Sequence, residues 1–170
     1  ILKKYDAATI LIRIRNTKTY WDKCLNFWFE NIRKEGPSKV IGTPTLFFRK
    51  VFKKITYKEN SIGCDDTDIS YQLIKKGFKI GILGFVCDQA NNNHLIDVKK
   101  KFLLYGKSDY SFYKLYKKKL SFIRKIYTFV RPLDHFFKFI IIAITKLKFQ
   151  YVPFIFIFTY YRFKGLYGFK

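Results

Sequence analysis

Methionine is absent from the chain and cysteine occurs only three times. Without a Met, these residues do not include a start codon's product unless processing removed it, so the chain reads as a piece of a longer protein. Cys24, Cys64 and Cys87 are odd in number and have no CxxC spacing, which argues against a disulfide framework and a zinc site and favours a reducing, cytoplasmic compartment. Long apolar runs are also missing. The two richest, residues 136–145 and 151–161, are each about half of the roughly 20 residues a spanning helix needs, and Lys138 interrupts the first. No N-terminal stretch joins a basic start, an apolar run and a small-residue cleavage site, so no secretory leader is legible. Acidic residues are scarce.

The 12 Asp+Glu face 34 Lys+Arg, a formal net charge of +22 over 170 residues. Such a surplus attracts polyanions: nucleic acid, an anionic membrane surface or phosphorylated ligands. Codon bias competes as a cause, because Lys, Ile, Phe, Tyr and Asn share AT-rich codons. The length suits roughly one domain with a real core.

Residues 7–15 are rich in β-branched side chains and end in alternation, as a strand leaving a buried sheet does. Over residues 19–33 the period changes: Trp21, Leu25, Trp28, Phe29 and Ile32 recur at spacings of three and four, one face of an amphipathic helix. Gly36 and Pro37 end it. Short apolar stretches at 40–42 and 46–48 precede a basic helix-like run, 49–55, and a polar loop, 57–63. The best-signalled helix follows, with acidic residues in its first turn, Ile69 and Leu73 on one face, Lys75 and Lys76 in its last turn and Gly77 as its cap. Residues 78–86 alternate as a strand. The order suits a mixed α/β domain. Residues 97–119 form a basic, aromatic stretch that the sequence suggests is broken at 105–109, and 120–131 continue it as an amphipathic helix.

Asp65, Asp66 and Asp68 repel one another, and a helix N-terminus is where their charge is best tolerated. A simple helix cap is the bland explanation, weakened by having three carboxylates together. Cys64-Asp65-Asp66-Thr67-Asp68-Ile69-Ser70, then Leu73 and Lys76-Gly77-Phe78-Lys79-Ile80, resembles the Glu/Asp-Asp-x-Asp motif, helix and following strand of family 2, GT-A type glycosyltransferases. Upstream, residues 42–50 are similar to the family's strand and arginine-bearing turn; downstream, 102–109 resemble the helix after its catalytic core. The likeness covers residues 40–115, with looser flanks.

The resemblance implies an α/β fold, the C-terminal half of a GT-A domain with a mixed sheet, at residues 1–118. It implies a basic, aromatic, membrane-associated helical tail at 119–170. It also implies transfer of a sugar, with inversion, from a nucleotide-sugar donor to a hydroxyl on a glycan or lipid-linked acceptor, as in cell-surface polysaccharide synthesis. Asp66 would be the general base, Asp65 its neighbour and tuner, and Asp68, Thr43 and Arg49 the support of the loop. A divalent cation, Mg or Mn, would stabilise the departing diphosphate.

Asp66-Thr67-Asp68 could alternatively be the metal-binding Asp-x-Asp of these enzymes. That motif closes a hydrophobic strand, whereas residues 59–63 are polar, so it and the donor-binding half are expected upstream of Ile1. Where the family often carries a His after the next strand, this chain has Val86-Cys87-Asp88-Gln89; His94, a few residues on, is the candidate metal ligand.

The tail's Phe-rich runs, Lys/Arg and flanking Tyr have the composition of segments lying in a membrane interface, which predicts attachment to the cytoplasmic face. A re-entrant hairpin bent near Pro153 and a buried helix pair also fit. Two other function classes compete: a nucleic-acid binder, for which no recognised motif is present, and a non-catalytic membrane scaffold.

Overall fold

The computed structural model describes residues 4–56, 65–90 and 93–168. The polar loop before the acidic motif, Cys64 included, and Asn91 and Asn92 lie outside them. The architecture is mixed α/β. A four-stranded sheet has the order β2-β4-β1-β3, where β1 is Ala7–Ile14, β2 Gly36–Pro37, β3 Thr45–Phe47 and β4 Ile80–Gln89. The long strands β1 and β4 run parallel, and β3 and β2 add antiparallel edges.

Helix α1, Tyr20–Ile32, starts where Thr19 accepts from the Asp22 N–H while the Asp22 carboxylate accepts from the Thr19 N–H, a reciprocal cap. Buried Asp22 also accepts from the backbone and side-chain amides of Asn93, which moors α1 to the start of the next long helix. The basic run after β3 is helical over α2, Arg49–Phe52. Helix α3, Asp65–Lys75, leads through Gly77, at φ 77°, into β4; a left-handed turn there suits glycine.

Three helices complete the chain: α4, Leu95–Tyr116; α5, Phe122–Thr145; and α6, Val152–Tyr167. Here the structure departs from the sequence pattern. The expected break at 105–109 is absent, and α4 runs straight through Gly106. That glycine serves close packing: a Cβ on it would lie 2.0 Å from the Arg162 carbonyl oxygen, and one on Gly165 would lie 2.1 Å from the Leu103 carbonyl oxygen. Backbone meets backbone where α4 crosses α6. Helix α5 likewise continues through buried Pro132, and Gly36–Pro37, read as a helix stop, also pairs with β4 as an edge strand.

The larger core gathers Ile14 of β1, Leu25, Phe27 and Trp28 of α1, Phe102 of α4, Phe139 of α5 and Phe154 and Phe158 of α6. Residues 119–170 therefore share one apolar core with residues 1–118. The opposite flank of α5 is apolar and exposed: Phe122, Ile126, Leu133, Phe137, Ile141 and Ile144 recur every three, four or seven residues. At about 1.5 Å per residue this stripe is roughly 33 Å long. No helix among the described residues is long and apolar enough to cross a membrane.

Candidate functional site

The acidic motif is held by two neighbours. From β1, the Thr9 hydroxyl donates to the Gly42 carbonyl (2.5 Å) with the Pro44 carbonyl at 2.9 Å, and Thr45 donates to the same Gly42 oxygen at 2.7 Å. From α3, Ser70 Oγ accepts from the Ile41 N–H at 3.0 Å and donates to the Asp66 carbonyl at 2.5 Å. The loop carrying Thr43 is thus stitched to the first turn of α3.

Asp66 lines two cavities. One, of about 320 Å3, is bounded by Ile41, Thr43, Thr45, Phe47, Asp65, Asp66 and Ile69. The other, of about 360 Å3, is lined by Asp66 together with Arg33, Tyr105, Arg131, His135 and Lys138. The Asp66 carboxyl is pushed above its ordinary pKa by partial desolvation, with the Asp65 charge adding to the rise; the Arg33 guanidinium and the Thr43 N–H oppose it. A carboxylate so placed is a stronger base while it remains ionised.

Asp65 and Thr43 share the first cavity with Asp66. Asp68 is buried and accepts from Tyr116 of α4 and from Gln72 Nε2 at 2.9 Å, so it anchors α3 to α4. Arg49 opens α2 with an exposed side chain and lines neither cavity. The arginine that faces Asp66 is Arg33, at the C-terminal end of α1. A Cβ on Gly42 would lie 2.1 Å from Arg33 Nη2 and 3.1 Å from Asp66 Oδ2, so the tips of both side chains approach each other over this glycine. No sequence motif marked Arg33.

No family model, curated protein or solved structure matches the chain.

His94 is the exposed N-cap residue of α4, its N–H donating to Asp97 at 2.9 Å. Among the described residues no three His, Cys, Asp or Glu side chains converge as a metal site. Two carboxylates, Asp65 and Asp66, do not by themselves complete a cation's shell. Cys24 and Cys87 are free thiols.

On the wall of the second cavity lies a buried charge cluster that ties three helices together. Asp109 of α4 accepts from Arg162 of α6 at 2.6 Å and from Arg131 of α5 at 2.8 Å; Arg162 Nη1 also donates to His135 Nδ1 at 2.8 Å. Arg162 is 4% exposed, and Asp109 and His135 are each 7% exposed. Burial, then the nearby Arg162 charge, pushes the His135 pKa down to about 2. It is therefore neutral at physiological pH, with its proton on Nε2 and Nδ1 free to accept. Removing Asp109 would strand a buried guanidinium, a loss of roughly 3–5 kcal/mol.

Proposed function

We propose that this chain is the acceptor-side part of a glycosyltransferase of the family 2, GT-A type, with Asp66 as the base that activates a hydroxyl acceptor. The observation that carries the reading is the position of Asp66: at the first turn of α3, between two cavities, its pKa raised and its carboxyl facing Arg33. In the reaction the acceptor oxygen forms a bond to the anomeric carbon of a nucleotide sugar. The bond from that carbon to the diphosphate oxygen breaks, its electron pair leaves with the nucleoside diphosphate, and the hydroxyl proton passes to Asp66. Asp65 raises the basicity of Asp66 through its charge, and Thr43 orients it. A donor-binding half and a divalent cation belong to this reading on the strength of the family resemblance.

The apolar stripe of α5 supports attachment to the cytoplasmic face of a membrane. Lys125, at the start of the same helix, flanks the stripe, and an apolar face with a basic neighbour suits an anionic lipid surface. A lipid-linked or growing surface glycan would meet Asp66 there. The same stripe also favours the scaffold reading, which assigns Asp66 no role. Protein expressed from the complete gene and offered a panel of nucleotide sugars and membrane acceptors should release nucleoside diphosphate with sugar incorporated into the acceptor; scaffold function alone would give neither.

A further inference from the structure

The second cavity beside Asp66 holds more positive charge than its carboxylates answer. Arg131 and Arg162 are both engaged by Asp109, and the Tyr127 hydroxyl donates to Asp134 at 3.2 Å. Arg33, which faces Asp66, keeps one donor unanswered: its Nη1 is fully buried and has no hydrogen-bond partner. A buried guanidinium nitrogen without an acceptor carries a desolvation cost that a bound anion would remove.

Neighbouring cations point the same way. Lys101, whose ammonium sits 4.5 Å from the Phe29 ring centroid, is pushed down to about 8 by burial and by Arg33. Lys138, on the cavity wall, is lowered by burial and by Lys34. Lys138 lines the cavity with Arg33, and Lys101 feels the Arg33 charge from outside the lining. An arginine fork with free N–H groups beside a second cation is the geometry that recognises a phosphate bidentately.

We propose that this cavity binds a phosphate group, with Arg33 as its forked donor and Lys138 as its second cation. On the transferase reading, which this step presupposes, the acceptor brought to Asp66 is a phosphorylated compound and not a neutral sugar. Two sources share that chemistry, a lipid headgroup and a soluble phosphate. The exposed apolar stripe lies on the face of α5 turned away from Arg131 and Lys138, so the choice between the two sources falls to the experiment.

Binding of inorganic phosphate, followed by calorimetry or by phosphorus NMR, tests the site without any sugar. The parent should bind saturably; Arg33→Gln should weaken binding about tenfold or more, the worth of one charged hydrogen-bond pair. Lys138→Gln should weaken it less, and exposed Lys107→Gln should leave it unchanged. If vesicles of phosphatidylcholine with phosphatidic acid displace the phosphate and their binding also depends on Arg33, the source is a lipid headgroup; if they do not, it is a soluble compound. No saturable binding, or equal losses in Arg33→Gln and Lys107→Gln, overturns the proposal, since diffuse attraction to a chain of net charge +22 would then explain everything. Asp66→Asn separates the two readings: it should still bind phosphate, and full sugar transfer by that variant would sink the base assignment and leave the phosphate site standing.

Discussion

Gly106→Ala sets two magnitudes of opposite sign against each other. In the middle of a helix, Ala is favoured over Gly by about 1 kcal/mol, so α4 considered alone predicts stabilisation. The crossing with α6 predicts the reverse. The added methyl would lie 2.0 Å from the Arg162 carbonyl oxygen, 2.7 Å from the Leu166 nitrogen and 2.9 Å from the Gly165 carbonyl carbon, where ordinary contact begins at 3.4 Å. All three are backbone atoms, so relief requires α6 to withdraw by more than an ångström. A radial gap of about 0.5–1 Å forfeits a quarter to a half of a dispersion well, and that loss falls on Phe102, Phe154 and Phe158 at the same interface. It also stretches the Asp109–Arg162 pair, held at 2.6 Å. Overpacking of this kind costs about 1–3 kcal/mol, occasionally more. Three backbone contacts this close put the cost in the upper part of that range, about 2–3 kcal/mol, so net of the propensity gain a loss of about 1–2 kcal/mol is expected. Urea unfolding should show a lower midpoint at unchanged slope, with exposed Lys107→Ala near parental. A midpoint equal to or above that of the parent would refute the backbone contact between α4 and α6.

Neutral His135 makes stability depend on pH. Its folded pKa lies below its unfolded value near 6.5, so below about pH 6.5 the unfolded chain takes up a proton that the folded chain refuses, and stability falls with pH. Between pH 7 and pH 5 the parent should lose about 2 kcal/mol more than His135→Gln, whose amide oxygen can still accept from Arg162; parallel pH curves would show that His135 titrates normally. On α5, Ile126→Glu with Ile141→Glu changes two exposed positions and should abolish flotation with anionic phosphatidylglycerol vesicles while the circular dichroism spectrum holds. Undiminished flotation would remove the stripe from the membrane reading.

Wherever local periodicity met local burial, the sequence was legible. The β-branched run of β1, the three-four spacing of α1 and the acid-first, lysine-last, glycine-capped α3 all appear within a few residues of where the pattern puts them. Gly106 misled because a glycine in a helix reads as a weak point, and its partner, Gly165, is remote in sequence. The two cavities on either side of Asp66 were illegible for the same reason. Asp66, Asp65 and Thr43 stand in recognisable motifs, but Arg33 reaches Asp66 only through the return of the chain past Gly42, and nothing in the spacing of α1 distinguishes its last arginine from a solvated one. The Asp109–Arg131–His135–Arg162 cluster joins three helices whose packing no single stretch of sequence encodes.

The most direct measurement is the rate of sugar transfer by Asp66→Asn, in protein from the complete gene and beside the Asp65→Asn variant, across pH. Loss of a positioned base predicts a fall of roughly 10²–10⁴-fold for Asp66→Asn with an unchanged unfolding midpoint. Asp65→Asn should stay active and shift its acid limb to lower pH, because the neighbouring charge that raises Asp66 is gone. Transfer by Asp66→Asn at the parental rate, in a folded protein, would contradict the account.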